Sequence, residues 1–556
     1  MSFALLVLVA AVTNADAALP PEAPTPGQVQ DTLPSPTPVL PTEAPIIEPP
    51  QAAPPPRTGS DRTFVIRRFE IVGNTVLAEE ELFAALTPYT GRPVTLDEVF
   101  DAADVLTKLY RERGYGLATV TVPAQKLDAG TLRLEVIEGV IAKIAIEGNA
   151  RYASETIQAF ASDLEPGSVY RADVMERTVL TLNDLPGLRA RAVVTPGADF
   201  GTSDILFKVT EIPMEFSATM DNYGREAIGT SRLLFNAGVN SLGLDGDQLA
   251  FSFVHAQGDL LNYANLGYSF PLGHRGQRFG ISYNRADYLV DPDLFQTPGQ
   301  PFSPFGIEGT TQNLRLDYAH PIVRTRRANL VFIGALMRNE TETDTGAPGA
   351  IVTTDASLDL FEVGVFMNRV FANGASGMLS IAYSGNFQQN ESTPTALDGE
   401  NQLAKIRIDG SYNQPLTPPW VFVSRLAAAW SPETLPDTQK FSLGGPQSIR
   451  GFQPSEARGD LGLALTASLR RYDRAFGVPY YASFFLDGGF VSRHLLDGES
   501  PDTPHSARLA SVGVGVTINP DGRYSGQIQA AQPVGGYQPT DGDDGARLWA
   551  TFSVKF

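Results

Sequence analysis

The chain has 556 residues, with 62 acidic and 42 basic side chains and a formal net charge of −20. A nucleic-acid-binding surface needs excess Lys and Arg to neutralise phosphates, and this composition supplies none. The chain contains no cysteine, which excludes disulfide bonds, thiolate metal sites and a cysteine nucleophile. A chain of this length is expected to form several domains.

The N-terminus predicts export from the cytoplasm. Residues 3–12 are apolar, and Ala15-Asp16-Ala17 has the small-residue spacing of a cleavage site. We therefore predict a secretory signal peptide over residues 1–17, although the usual basic residues before the apolar stretch are missing; the alternative is a frayed apolar terminus. No other run of ~18 apolar residues occurs, so the sequence predicts no membrane-spanning helix.

Residues 18–61 are predicted to form a proline-rich tether. Of the 42 prolines, 14 lie between Pro20 and Pro56. Proline fixes φ and removes an amide donor, so this stretch should be extended and mobile rather than a domain. Only the segment around Gly27 to Leu33 could form a short helix.

Two related modules follow the tether. Phe69–Asn74 resembles Ile144–Asn149, and both segments end in a Gly-Asn turn. In each module, the strand that ends in this turn is followed by two helical patterns and then by two strand patterns. Thr95 is placed to cap the second helix of the first module. This β-α-α-β-β order predicts two α+β modules, over residues 62–139 and 140–212. The helices are predicted over 78–86, 96–113, 154–160 and 171–182, and the closing strands over 117–122, 131–137, 190–195 and 204–209.

From residue 213 to 556, apolar and polar residues alternate. Such alternation fits strands with one face on lipid and the other on a watery lumen. At ~9–11 residues per strand, this segment can supply on the order of 16 antiparallel strands, which predicts an all-β transmembrane barrel. A soluble β-sandwich would also alternate, but export and the terminal aromatic Phe556 favour the barrel. The last strand has Leu548, Ala550, Phe552, Val554 and Phe556 on one face and Trp549, Thr551, Ser553 and Lys555 on the other.

Several motifs resemble those of one family. The chain is similar to the outer-membrane transporters of two-partner secretion, the TpsB family, over roughly residues 62 to 556. These proteins export haemolysins and filamentous haemagglutinin-like adhesins. The resemblance implies a barrel in bacterial outer-membrane lipid, two POTRA domains in the periplasm, and a large unfolded exoprotein as partner. The matching segments are Tyr110–Ala118, Val122–Gln125 and Glu135–Gly139 in the first POTRA domain, and Leu182–Gly187, Thr195–Gly197 and Gly201–Asp204 in the second.

The sharpest motif lies between two barrel strands. Gly444–Phe452 resembles the VRG(F/Y) loop of the family, with Ile449 in place of Val, and Phe484–Phe490 resembles a barrel-wall strand motif. The resemblance implies that a loop around 444–458 folds into the lumen and that Arg450 meets Asp487. The predicted site residues are Ile449, Arg450, Gly451 and Phe452 in the loop, Phe485, Asp487 and Gly489 in the wall, and Phe556 as the barrel's C-terminal signal.

Two further expectations concern this loop. From the residues alone, an Arg-Gly pair in a loop most often marks a turn with the arginine in solvent. If the lumen is filled with water, screening would weaken the pair, which would then position the loop rather than add stability. The family resemblance also implies that a plug helix near the N-terminus sometimes occupies the lumen.

The sequence gives no support for catalysis. Its five histidines are scattered, and it has no zinc-protease, phosphate-loop or nucleophile-elbow motif. We therefore predict no enzyme activity, cofactor, metal or nucleotide.

The leading hypothesis is a pore that captures an unfolded exoprotein through its POTRA domains, by strand addition or along a groove, and exports it to the cell surface or the medium. The main alternative is a factor that assembles other outer-membrane proteins, and a third is a passive-diffusion or ligand-binding barrel.

Overall fold

The structure is a computed structural model that describes residues 24–34, 47–48, 63–126, 129–291, 306–347, 350–391, 403–495, 500, 505–520 and 522–556. The predicted signal peptide lies outside these ranges. The described residues form two compact units, a β-barrel with a short N-terminal helix and a pair of α+β modules. The first elements are the helix α1 (Pro26–Thr32) and the two-residue strand β1 (Ile47–Glu48).

The first module contains the β-α-α-β-β arrangement expected from the sequence. Its sheet has the order β3-β6-β5, and β2 pairs with β4 in a separate ribbon. Thr95 and Glu98 form the capping box that begins the long helix, as predicted. The elements are β2 (Thr63–Val65), β3 (Arg68–Val72), α2 (Glu79–Leu86), a 3-10 turn (Thr87–Tyr89), β4 (Pro93–Thr95), α3 (Leu96–Glu112), β5 (Thr119–Thr121) and β6 (Thr131–Ile137).

The second module repeats this plan with one addition. Its sheet has the order β1-β8-β9-β7, so the tether strand β1 joins the sheet in parallel beside β8. The sequence predicted an extended, mobile tether and no strand in it, because proline fixes φ and removes backbone donors. The elements are β7 (Val140–Glu147), α4 (Ser154–Phe160), α5 (Ala172–Asn183), β8 (Leu188–Pro196) and β9 (Thr202–Glu211).

The sequence repeat has a physical cause in both modules. Gly73 and Gly148 have φ values of +89° and +91°, in a region that favours glycine. In each module a glutamate from the last strand region then accepts hydrogen bonds from the backbone after the Gly-Asn turn. Glu138 accepts from Thr75 N at 2.6 Å, and Glu211 accepts from backbone amides of the second module in the same way.

Sixteen antiparallel strands close into a barrel, the number predicted from the sequence. Strands β15 to β18 have 16 to 21 residues, longer than the ~9–11 needed to cross a bilayer. The barrel strands are β10 (Met214–Asp221), β11 (Arg232–Asn240), β12 (Gln248–Ala256), β13 (Leu261–Pro271), β14 (Arg278–Leu289), β15 (Gly306–Arg324), β16 (Ala328–Ala347), β17 (Ala350–Val370), β18 (Ser376–Glu391), β19 (Ala404–Pro415), β20 (Trp420–Trp430), β23 (Leu461–Ala475), β24 (Val478–Ser492), β25 (Ser506–Ile518), β26 (Tyr524–Val534) and β27 (Arg547–Lys555).

The last strand closes the barrel against the first. Five residue pairs join β27 to β10, and Phe556 N donates to Phe216 O at 2.9 Å. Leu548 and Phe552 are 60% and 51% exposed, whereas Trp549 is 5% exposed. The apolar stripe therefore faces outward and Trp549 faces the interior, as the alternation predicted. Phe556 itself is 70% exposed.

No helix among the described residues is both long and apolar enough to cross a membrane.

Candidate functional site

The loop between barrel strands β20 and β23 is organised by a short hairpin. Its stem is β21 (Phe441–Leu443) paired antiparallel with β22 (Ala457–Gly459). Gly444 and Gly445 follow the stem with φ values of +104° and +90°, which other residues rarely adopt. The two glycines thus allow the chain to turn sharply into the segment that carries Arg450.

Arg450 binds Asp487 of the barrel wall through two parallel contacts. Its Nε donates to Asp487 Oδ2 at 2.8 Å and its Nη2 to Oδ1 at 2.5 Å. The Arg450 backbone N donates to the same carboxylate at 3.2 Å, and Ser511 Oγ donates to it at 3.0 Å. This bidentate geometry fixes the orientation of both side chains.

The pair is buried rather than bathed in solvent. The side chains of Arg450 and Asp487 are 9% and 0% exposed. The expectation that Arg450 points into solvent is therefore wrong. The expectation that water screens its ion pair with Asp487 is also wrong at this position. The reason is that aromatic side chains cover the pair: the Arg450 guanidinium lies 3.3 Å from the ring centroid of Phe485, and Trp549 Nε1 donates to the Arg450 carbonyl at 2.7 Å.

The remaining predicted residues pack around this pair. Ile449, Phe452 and Phe485 are each 0% exposed, and Phe452 meets Tyr537 edge to face at 5.7 Å. A Cβ on Gly451 would lie 2.8 Å from Ser511 Cβ and 2.9 Å from Pro533 N. A Cβ on Gly489 would lie 2.6 Å from Leu463 O. Glycine is thus needed at both positions because the backbones approach closely.

Other barrel residues hold the tip of the loop. Arg225 Nη1 donates to the carbonyls of Pro454 and Ser455 at 2.7 and 3.0 Å. Thr540 N donates to Glu456 Oε1 at 2.5 Å. The loop is therefore fixed at its stem, its arginine and its tip.

The helix α1 lies against the same loop. Gly27 N donates to Asp437 Oδ2 at 2.7 Å, and Gln28 Nε2 donates to Ser455 O at 3.1 Å. Val29 is 0% exposed and packs among apolar side chains of barrel strands. At the end of the helix, Arg232 Nη1 donates to Thr32 O at 2.5 Å. The short helix that the sequence allowed near Gly27 is thus present.

Arg458 joins the helix to the loop. Its Nε lies 3.1 Å from Asp31 Oδ2 of the helix, and its Nη1 contacts Asp437. Ser455 Oγ also donates to Asp31 at 2.7 Å. The Arg458 side chain is 7% exposed. This one buried guanidinium therefore pairs with two carboxylates, Asp31 on the helix and Asp437 beside the loop.

Sequence reasoning missed several of these residues. The alternation of the last strand placed Trp549 on the face toward the lumen. That placement was the only feature of the sequence that could have indicated its contact with Arg450. Asp31, Arg225 and Arg458 had no such signal, because their partners lie hundreds of residues away or in irregular loops.

Within the described part of the chain, no group of three His, Asp or Glu side chains could hold a metal ion. Arg225, Arg450 and Arg458 contact oxygen atoms of the loop, the barrel wall and the helix, so polar contacts hold the loop and α1 in place.

Comparisons with known proteins match both units. Residues 201–518 match the model of the haemolysin secretion/activation protein family ShlB/FhaC/HecB, and residues 64–139 match the ShlB-type POTRA domain. The heme/hemopexin transporter protein HuxB of Haemophilus influenzae is 24% identical over 87% of this chain and 85% of its own. The outer membrane transporter CdiB of Escherichia coli is 25% identical over 85% of this chain and 79% of its own.

Solved structures show the same fold. CdiB from Escherichia coli superimposes with a TM-score of 0.70 and 22% identity, over 90% of this chain and 92% of CdiB. BamA from Haemophilus ducreyi, lacking POTRA domains 1–3, superimposes with a lower TM-score of 0.50 and 15% identity, over 89% of this chain and all of that one. Because the first family model covers more than half of the sequence, the chain belongs to the haemolysin secretion/activation family, the outer-membrane transporters of two-partner secretion.

Proposed function

We propose that this transporter carries one large, unfolded exoprotein through its barrel, and that the site described above is the closed state of the route. Family membership places the barrel in the outer membrane and the POTRA domains in the periplasm. The observation that carries the proposal is the buried, bidentate pair of Arg450 and Asp487. It fixes the loop motif of residues 449–452 against the barrel wall.

The helix α1 supplies the second part of the closure. It is held by polar contacts and by the buried side chains of Val29 and Thr32. A helix of seven residues is too short to be stable alone in water. The helix therefore depends on its contacts with the barrel and the loop, and we propose that α1 is the part of the closure that leaves first.

Transport needs a source of direction. The sequence has no nucleotide-binding motif, and the family is one of transporters. We propose that folding of the exoprotein outside the cell prevents its return and gives the export its direction. We also propose that the chain has no catalytic role, and that the aromatic Phe556 serves as the C-terminal signal for barrel assembly.

The test compares cells that carry the wild-type gene with cells that lack it. Mass spectrometry of the culture medium and of the periplasm should show one large exoprotein that leaves wild-type cells and stays inside the deletion strain. Other outer-membrane proteins should remain at normal levels. If barrel proteins in general decline and every large exoprotein still leaves, the chain is an assembly factor instead.

A further inference from the structure

Arg425 of the barrel wall faces the lumen beside the loop. It lies on strand β20, opposite Thr466 of β23. Two residues further along β20, Ala427 packs against the buried cluster that contains Ile449 and Phe452 of the loop. Because alternate residues of a strand share a face, Arg425 points to the same side of the wall as Ala427. Its side chain is therefore a neighbour of the loop motif.

Arg425 differs from the arginines that hold the loop and the helix. Arg225, Arg450 and Arg458 all contact oxygen atoms. Arg425 is exposed, and it makes no hydrogen bond or ion pair with any residue that the structure describes. Its positive charge is repelled by those of Arg450 and Arg470. The closed state thus contains a lumen cation to which the described residues supply no counter-ion.

Arg425 and Asp487 lie at the same level of the wall, two strands apart. Thr466 pairs with Arg425 on one side and with Asp487 of β24 on the other. Neighbouring strands are about 4.8 Å apart, so the backbones of Arg425 and Asp487 are about 10 Å apart. Only the short, neutral side chain of Thr466 lies between them in the register. The long side chain of an arginine can cross this gap and present its planar guanidinium to the carboxylate.

Departure of the loop would leave Asp487 short of donors. Its carboxylate accepts three hydrogen bonds from Arg450 and one from Ser511 Oγ. When Arg450 withdraws, only the bond from Ser511 remains, and a buried carboxylate without its counter-ion is costly. The same step removes one of the charges that repel Arg425.

We propose that Arg425 is the second partner of Asp487, and that the carboxylate passes from Arg450 to Arg425 when the loop withdraws. This inference rests on the proposed function, because it takes the loop as the closed state of the route. The exchange lowers the cost of opening, since Asp487 keeps a counter-ion in both states. It also slows the return of the loop, since Arg450 must displace Arg425 to bind again.

A double-variant cycle in the purified full-length protein tests the exchange without the exoprotein. Arg425→Gln alone should leave the thermal unfolding temperature in detergent at or above the wild-type value, because it removes a repulsion between like charges. In the Arg450→Ala background, Arg425→Gln should lower that temperature by about 2–4 °C, because Asp487 then loses both partners. Arg425→Lys in the same background should cause a smaller decrease, because it keeps the charge.

Arg470→Gln is the matched control. Arg470 is also an arginine of the inward face, but it lies opposite Ser483. Ser483 is four residues from Asp487 along β24, about 14 Å, which is too far for Arg470 to bridge. Arg470→Gln should therefore change the unfolding temperature equally with and without Arg450. Equal changes for Arg425→Gln in the two backgrounds would overturn the proposal.

Secretion by cells supplies the second measurement. With Arg450 intact, Arg425→Gln should reduce release of the exoprotein identified by the deletion experiment several-fold, and Arg425→Lys should restore most of it. Normal release by Arg425→Gln would show that the exchange is not part of transport, and the proposal would be wrong. Retention of no exoprotein by the deletion strain would instead contradict the proposed function, because that result does not involve Arg425.

Discussion

The buried ion pair of Arg450 and Asp487 is the single contact whose loss should affect secretion most. The Asp487 side chain is fully buried, and removing one partner of a buried pair costs about 3–5 kcal/mol because the other charge loses its counter-ion. Arg450→Ala should therefore release the loop and reduce secretion about tenfold or more. Arg450→Lys should give an intermediate loss, because an ammonium cannot form the bidentate contact.

The double variant R450M/D487L provides the control. Replacing both charges with apolar side chains of similar size leaves no charge without a partner, so the barrel should be more heat-stable than in Arg450→Ala. Thermal unfolding in detergent measures this. Equal instability of the single and double variants would show that the buried charge is not the cause.

Gly451 supplies a second residue-scale prediction. A Cβ at this position would overlap Ser511 and the Pro533 backbone, so Gly451→Ala should push the loop from the wall and lower secretion several-fold. Gly238→Ala is the matched barrel control, since its Cβ would find only Gln248 Nε2, at 3.6 Å. Cell-surface labelling and secretion assays compare the two. An equal loss in both variants would indicate a general effect of the added methyl group.

At the scale of single residues, the sequence predicted the pairing but not its surroundings. The motif around Arg450 and the strand motif around Asp487 could be recognised by resemblance. Their burial could not, because it depends on Phe485 and Trp549, which strands far apart in the sequence bring together. The screening expected from a watery lumen does not apply to this pair, because both side chains are buried.

The helix α1 is the element whose removal can be tested most cleanly. A Cβ on Gly27 would collide with the Arg458 guanidinium and the Asp437 carboxylate. Gly27→Val should therefore detach the helix without changing the barrel. We expect cells to admit large antibiotics that the wild type excludes, and purified protein to show larger or more frequent openings in planar bilayers.

Asp163→Asn is the control for nonspecific effects, because this carboxylate lies exposed in the second module. It should leave permeability unchanged. If Gly27→Val leaves both the antibiotic sensitivity and the conductance at wild-type values, α1 does not close the route.

Regular elements were predictable where a local pattern determined them. The capping box at Thr95 and the Gly-Asn turns mark helix and strand ends by local chemistry, and the predicted helices match the observed ones closely. The strand β1 was not predictable. A strand of two residues in a proline-rich segment carries no periodic signal, and its only partner is the edge of β8.

For the whole molecule, alternation was the decisive signal. It predicted a transmembrane barrel, because every transmembrane strand must present apolar side chains to lipid and satisfy its backbone through its neighbours. The length of the segment and the family resemblance indicated about 16 strands, and the barrel has that number. The sequence repeat predicted two related α+β modules, and the family resemblance identified them as POTRA domains. Such patterns do not identify the exoprotein. A receptor that binds an extended chain through its backbone needs few specific side chains for that purpose.

Secretion by living cells tests the central claim most directly. The amount of the large exoprotein should be measured in medium and periplasm for the wild type, the deletion strain and the Arg450→Ala variant. The account predicts that the exoprotein reaches the medium in full only in the wild type, that the deletion strain retains all of it and the variant most of it, and that the remaining outer-membrane proteins assemble normally in both. Normal secretion in the deletion strain, together with a general loss of barrel proteins, would contradict it.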